Sequence, residues 1–247
     1  MDDKKNVRKV NGMKKGIFHF HSTYSYDGIN TLEKIIKIIK EKKLDFVVLT
    51  DHDTIKGSVE LQKKVKEHNL NVEIPTAAEY KTDRGDVIAL NVKNEITDMK
   101  WDEFYKNAKE QNAILVLPHP YDGHSQIEEL AQSVDVIEVF NSRSSVVNNY
   151  KSYLLALKYK KPVIWSSDSH IPQTLLNGVV GYEKKDLKFH EALTNSEIAP
   201  LFLKKSSVSD IFISQLKKAY VNKNFKLFIY IVYKTLFKRT KEDYLNL

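Results

Sequence analysis

The sequence predicts an α/β domain: a mainly parallel sheet, open or closed into a barrel, with a helical extension at its C-terminal end. Short apolar runs alternate with longer runs of helical period, as in successive βα units. The length, 247 residues, suits one large domain or two small ones and is enough to bury a sizeable core. Beyond about residue 207 the strand-like runs stop and only helical patterning continues.

In chain order, residues 16–20 are a short apolar strand leading into a polar loop. Residues 32–41 place apolar side chains at 32, 35, 36, 38 and 39, one face of a helix with Asn30 or Thr31 as N-cap. Residues 46–49 are an apolar strand, and 59–68 read as helix. Residues 72–78 and 87–92 flank a polar turn at 81–86 and predict a hairpin. Helix is expected at 101–110, 126–132 and 145–159, and strand at 113–117, 134–139, 163–165 and 179–182. The tail from about 208 reads as one or two helices. Three segments follow: a basic N-terminal stretch, 1–15; a catalytic body, 16–206; and a basic aromatic tail, 207–247, packed on the same domain.

The chain has no cysteine, which excludes a disulfide scaffold, a thiolate metal site and a cysteine nucleophile. Hydrophobic residues at 42% and charged residues at 29% are ordinary for a globular protein in water. The first fifteen residues lack the apolar stretch of a secretory signal. The longest apolar run, 227–233, is far short of the ~20 residues that span a bilayer. A cytoplasmic protein is the expectation. The net charge of +7 raises nucleic acid or an anionic membrane as a partner. Its distribution narrows that reading. Residues 201–247 hold ten Lys/Arg against three Asp/Glu, and residues 1–15 hold six against two, so the middle is net negative.

The chemistry lies in what ends each apolar run. The first ends in His19-Phe20-His21 and the second in Asp51-His52-Asp53. The third leads to Glu79, and 113–117 runs into His119. Residues 134–137 end at Glu138, and 163–165 are followed by Asp168-Ser169-His170. Five of the eight histidines lie at such positions. In α/β folds the C-terminal ends of parallel strands form the active site, so these groups are expected to converge on one rim. Imidazoles and carboxylates without thiolates suit manganese, zinc or iron.

These residues resemble the PHP (polymerase and histidinol phosphatase) family. The resemblance rests on His19-Phe20-His21-Ser22 with Tyr26-Asp27-Gly28, then Thr50-Asp51-His52-Asp53-Thr54, Glu79, Pro118-His119-Pro120, Glu138 with Asn141, and Ser167-Asp168-Ser169-His170. It spans about residues 16–182. It implies a distorted (β/α)7 barrel, TIM-like, and a metal-dependent phosphoesterase with two or three divalent ions. By that resemblance His19, His21, Glu79 and Asp168 hold one ion, and Asp27, His52 and His170 a second. Glu79 bridges to a third, held by His119 and Glu138. Three departures from the family pattern stand near that third ion: Pro75-Thr-Ala-Ala-Glu79 replaces Pro-Gly-x-Glu, Asp86 stands where a histidine is common, and Glu138 occupies a place that is histidine in some trinuclear members.

The implied reaction is hydrolysis of a phosphomonoester or phosphodiester by metal-activated water. His52, Asp168 and Arg143 are expected to carry catalysis, with Arg143 clamping phosphate. Asp51 is expected to orient a histidine. His124 is a candidate proton donor to the leaving group, and Lys81 and Arg84 are candidate phosphate contacts. In the tail, Phe225, Phe228, Ile229, Val232 and Leu236 share one helical face. Lys223, Lys226, Lys234, Lys238 and Lys241 lie roughly opposite. Such a helix suits packing on the body, an anionic membrane surface or nucleic acid. The expected substrate is a phosphorylated small molecule or nucleotide. The rival functions are a nuclease acting on short nucleic acid and a non-catalytic metal-binding module.

Overall fold

The computed structural model describes residues 12–184, 186–221 and 223–237. Most of the basic N-terminal stretch, and Lys238 and Lys241 of the tail, lie outside the described residues.

Strand β1 (Lys14–Phe18) begins inside the basic stretch, so the body starts two residues earlier than the composition suggests. Helix α1 (Leu32–Lys42) starts where the Thr31 hydroxyl accepts from the backbone N–H of Lys34 at 3.2 Å. It stops at Lys43, which is in the left-handed conformation that ends many helices. Its Leu32, Ile35, Ile36, Ile38 and Ile39 are buried, as the period-3.6 pattern requires. Then come β2 (Phe46–Val48), α2 (Lys56–Glu67), β3 (Ala77–Thr82) and β4 (Gly85–Leu90). The hairpin of β3 and β4 is as expected in place but slides along the sequence. Thr82 pairs with Gly85, so the turn is only Asp83-Arg84, and residues 72–76 precede the sheet.

The second half continues with α3 (Trp101–Glu110), β5 (Ile114–Leu117), α4 (Ile127–Ser133), β6 (Val136–Asn141), α5 (Val146–Tyr159), β7 (Val163–Ser166) and β8 (Gly178–Tyr182). A short helix, α6 (Phe189–Thr194), and a ninth strand, β9 (Ala199–Leu203), follow. The sequence pattern did not reveal either of them. Helices α7 (Val208–Val221) and α8 (Phe225–Phe237) form the tail.

The strands form two sheets, ordered β2-β1-β8-β9 and β3-β4-β5-β6-β7. The expected mainly parallel, barrel-closed sheet is corrected here. Only β1–β2, β5–β6 and β6–β7 pair in parallel. The hairpin turns β4 against both its neighbours, and β8 returns antiparallel beside β1. Between β2 and the β3 segment there are only isolated bridges, Phe46 to Glu73 and His52 to Glu79, rather than a ladder.

One apolar cluster lies between the inner faces of the sheets and includes Phe18, Phe46, Val48, Ile88, Val116, Val136, Ile164 and Val180. Phe189 of α6 stacks on Phe46 at 4.4 Å and closes that core from the N-terminal ends of β1 and β2. A second cluster packs α3, α4 and α5 against the five-stranded sheet, and a third packs α1 and α2 against the other. With helices outside and a plug below, the C-terminal ends of β1, β2, β5 and β7 remain for chemistry.

Candidate metal centre

Three strands that lead to the candidate site exit through a residue in the left-handed region: His19 after β1 (φ 56°), His119 after β5 (φ 66°) and Asp168 after β7 (φ 46°). Histidine and aspartate tolerate this conformation better than branched residues, and it concentrates at functional sites. These turns, with the neighbouring loops, bring the side chains to one rim.

Glu79 stands at the middle. Its Oε2 lies 3.3 Å from His19 Nε2, 3.2 Å from His21 Nε2 and 3.4 Å from His52 Nδ1. Its Oε1 lies 3.0 Å from His119 Nε2. Asp168 Oδ1 is 3.6 Å from His19, 3.3 Å from His21 and 3.4 Å from His170 Nδ1. Asp27 Oδ2 is 3.6 Å from His52 Nε2 and 3.4 Å from His170 Nε2. His52 and His119 are half-buried and the other six are buried.

The donor set fits divalent cations. It offers nitrogen and oxygen and no sulfur, as manganese, zinc and iron sites do. His21 Nε2 and Asp27 Oδ1 are buried without a hydrogen-bond partner. Such atoms are costly to leave unpaired, and a cation between them satisfies both. Among the described residues, four groups have ligand atoms mutually within 4.8 Å: His21, Asp27, His52 and His170; His19, His21 and Glu79; His19, His119 and Asp168; and Glu79, Asp86 and His119.

The rim thus gathers His19, His21, Asp27, His52, Glu79, His119, Asp168 and His170. Glu138 is the exception. It lies inside β6, three residues short of its end, and its carboxylate is directed to two neighbours. Oε1 is 2.8 Å from His19 Nδ1, and Oε2 accepts from Asn141 Nδ2 at 3.0 Å. Glu138 therefore backs a histidine, and Asp86 stands with Glu79 and His119 instead.

Asp51 is placed as expected of an orienting residue. It accepts from the Ser22 backbone at 2.6 Å, the Ser22 hydroxyl at 2.8 Å and the Ser25 hydroxyl at 3.0 Å. Ser25 Oγ in turn is 3.2 Å from His21 Nδ1 and accepts from the His52 backbone at 2.8 Å. Glycine at 57 permits this: a Cβ there would sit 1.8 Å from Asp51 Oδ2. The two serines escaped the sequence reading because their role depends on a fold-back of the loop after β1.

Arg143 reaches the rim, with Nη1 2.5 Å from His170 Nδ1 and 3.8 Å from Asp168 Oδ1. Arg84 does not: it pairs with Glu129 at 3.0 Å and Asp102 at 3.5 Å on the outer helices. Lys81 is exposed. His124 is 5.6 Å from His119, ring to ring, but its Nε2 is 2.8 Å from the Asp86 carbonyl and so supports that strand.

Charge at the rim is strongly coupled. Burial opposes protonation of His19, but Glu79, Glu138 and Asp168 outweigh it and raise its pKa well above the usual range. The same contest, with the Asp168 and Glu79 carboxylates beside it, raises His21 to about 9; Glu79 raises His119 to about 10. Burial and the nearby Arg143 lower His170 to about 4, against the pull of Asp27. Burial would raise Glu79 and Asp168, yet His19 and the neighbouring imidazoles hold Glu79, and Arg143 with His19 holds Asp168, well below the carboxylate range.

The model of the PHP domain matches residues 18–199. The chain belongs to the PHP domain family. A protein of Methanocaldococcus jannaschii is 32% identical over 153 residues, covering 55% of this chain and 87% of that one. Among solved structures, a two-domain protein from Bacteroides vulgatus containing a predicted PHP-like metal-dependent phosphoesterase superposes with TM-score 0.64. It is 21% identical, and the match covers 77% of this chain and 65% of that chain. An amidohydrolase from Chromobacterium violaceum, with bound sulfate and no metal, gives TM-score 0.55 at 15% identity over 75% of this chain and 97% of its own. At such identities the likeness is one of fold. In this PHP domain the two sheets stay unclosed, and α7 and α8 lie beyond the family match. Among the described residues no helix is long and apolar enough to cross a membrane.

Proposed function

We propose that this PHP domain is a metal-dependent phosphoesterase that hydrolyses a phosphate ester of a small molecule or nucleotide. The observation that carries the reading is the centre around Glu79, where one buried carboxylate meets four imidazoles within 3.4 Å. A carboxylate can bridge cations while each imidazole fills one position, which is how multinuclear hydrolytic sites are built.

His19, His21, Glu79 and Asp168 would hold one ion, and Asp27, His52 and His170 a second. Glu79 and His119, with Asp86 beside them, would hold a third. Bound manganese, zinc or iron would supply the Lewis acidity that makes water a nucleophile and offsets charge on phosphoryl oxygens. The protein's own groups do the rest. Glu138 and Ser25 fix the ring orientations of His19 and His21 through their Nδ1 atoms. Arg143 presents a guanidinium at the rim, suited to hold a phosphate oxygen as charge builds on it. Burial of the ligands keeps bulk water from competing for these charges. Water is the fitting nucleophile, since the chain holds no thiol.

The test is metal analysis of the purified protein together with hydrolysis of nitrophenyl phosphate in added manganese or zinc. Bound metal and metal-dependent turnover are expected. A protein that takes up no metal, or one that cleaves amides and no phosphoester, overturns the proposal.

A further inference from the structure

The tail enters the site. Ser206 is tied to the rim: its backbone N–H donates to the Ser142 carbonyl at 2.8 Å, and the two hydroxyls are 2.7 Å apart. Helix α7 then runs across the His170 side. Ile211 and Ser214 are buried on its inner face, and Ser214 Oγ accepts from Arg143 Nη2 at 3.4 Å. Between α7 and the rim, enclosed by Arg143, Asp168, His170 and Ser214, only about 10 Å³ remains, roughly the room of one water. That space is too small for any bulky group.

One turn further, Lys217 lies on the same face. Its ammonium donates to the carbonyl of Gly28, the residue after Asp27. Burial lowers the Lys217 pKa, against the attraction of Asp27. Lys218 places its ammonium 5.3 Å over the ring of Tyr26, which stacks on His52 at 4.9 Å. The one hydrogen bond to Gly28 leaves two N–H groups of Lys217 able to turn toward an anion beside Asp27. Two consecutive cations thus flank the loop that carries a candidate metal ligand. Both come from a helix beyond the family match.

We infer that α7 is a wall of the substrate pocket, that Lys217 binds the phosphate group of the substrate beside the metal centre, and that Lys218 reinforces it. The inference rests on the phosphoesterase reading. It favours a compact phosphorylated molecule, because α7 leaves room for about one water on the His170 side of the rim.

The test compares wild type with Lys217→Met, Lys217→Arg and Lys218→Met. Binding of inorganic phosphate to the metal-loaded protein is followed by calorimetry, KM and kcat are taken on nitrophenyl phosphate, and metal content is measured in parallel. Lys217→Met should weaken phosphate binding and raise KM about tenfold, with metal content unchanged and kcat altered less. Lys218→Met should give a smaller shift of the same sign, and Lys217→Arg should restore most of the affinity. Wild-type phosphate affinity in Lys217→Met, or a loss explained by lower metal content, overturns the inference and leaves the phosphoesterase reading standing. Wild-type protein that loads metal yet neither binds phosphate nor cleaves the ester overturns both.

Discussion

The rim and the last helix, α8, are opposite kinds of surface. At the rim, polar and charged side chains are buried and nearly every one is held by another. On α8, apolar side chains face outward: Phe225 is 75% exposed and Ile229 66%. Burying charge is expensive unless it is paired, so the rim is maintained by its mutual contacts and by whatever cation it receives. Exposing scattered apolar groups costs little, so α8 imposes no such demand on its neighbours. A substitution should therefore be felt in proportion to how many partners it leaves unpaired.

The largest effect belongs to Glu79, which touches four imidazoles. Replacing it with glutamine keeps the shape and removes the charge that those rings and any bridging cation share. Glu79→Gln should lose most of its bound metal, and kcat/KM should fall by roughly a thousandfold. Metal-to-protein ratio and steady-state turnover check this together. Normal occupancy with normal turnover would move the centre elsewhere.

A step further from the ions the effect should shrink. Ser25 joins Asp51 to His21 and to the His52 backbone, and touches no other candidate ligand. Ser25→Ala should weaken metal affinity by about 10–100-fold, the usual scale for a group that orients a ligand. Competition with a chelator measures it. An unchanged affinity would mean that packing alone fixes the His21 ring.

How much of this the sequence discloses follows from the range of the forces involved. Strand-then-histidine patterns are local, and the candidate ligands His19, His21, His52, His119, Asp168 and His170 stand out because each follows an apolar run. Asp86 does not stand out, because a polar stretch at 81–86 looks like a turn. The true turn is tighter, and Lys81 pairs with Asp86 while Glu79 pairs with Ile88. That register puts Asp86 on the same face as Glu79, and a slip of a residue or two along the chain conceals it. Glu138 errs the other way: its spacing suits a rim residue, but β6 runs on to Asn141. Barrel closure also depends on pairing between distant strands, and β8 returns antiparallel beside β1 for reasons no short window contains. Strand β9 has exposed residues throughout, so no buried alternation marks it.

Protons at the rim give a smaller effect, with a definite sign. In metal-free protein His21 and His119 are held at about 9 and 10 against an ordinary 6.5. Their charge contributes stability that is fully present below about pH 6.5 and is lost as the pH rises through 9 to 10. Glu79 and Asp168, held low, contribute stability that is present above the ordinary carboxylate range and is lost as the pH falls below it. The chelated protein should therefore lose several degrees of melting temperature between pH 8 and 10. The metal-loaded protein should not, because the cation takes the place of those protons. Metal uptake at pH 7 should release protons, measurable in a weakly buffered titration. A melting temperature that is flat or rises to pH 10 without metal would contradict the assignment of charge.

The smallest effect is expected on α8, and it separates that helix from α7. Phe225, Ile229 and Tyr233 are exposed along one side of the helix, while Ile231 is buried. If the tail acts on the reaction only through α7, then Phe225→Ser with Ile229→Ser removes exposed apolar surface and leaves the Lys217 contact to Gly28 in place. Phosphate affinity, KM and kcat should stay within about twofold of wild type, since surface substitutions without partners usually change stability by no more than about 0.5 kcal/mol. Co-sedimentation with anionic vesicles gives the same variant a second readout. A loss of vesicle binding with intact hydrolysis would assign the apolar side of α8 to a membrane surface, consistent with the five aromatic residues of the helix. A loss of hydrolysis instead would mean that α8 braces α7 over the rim, so that the two helices form one wall.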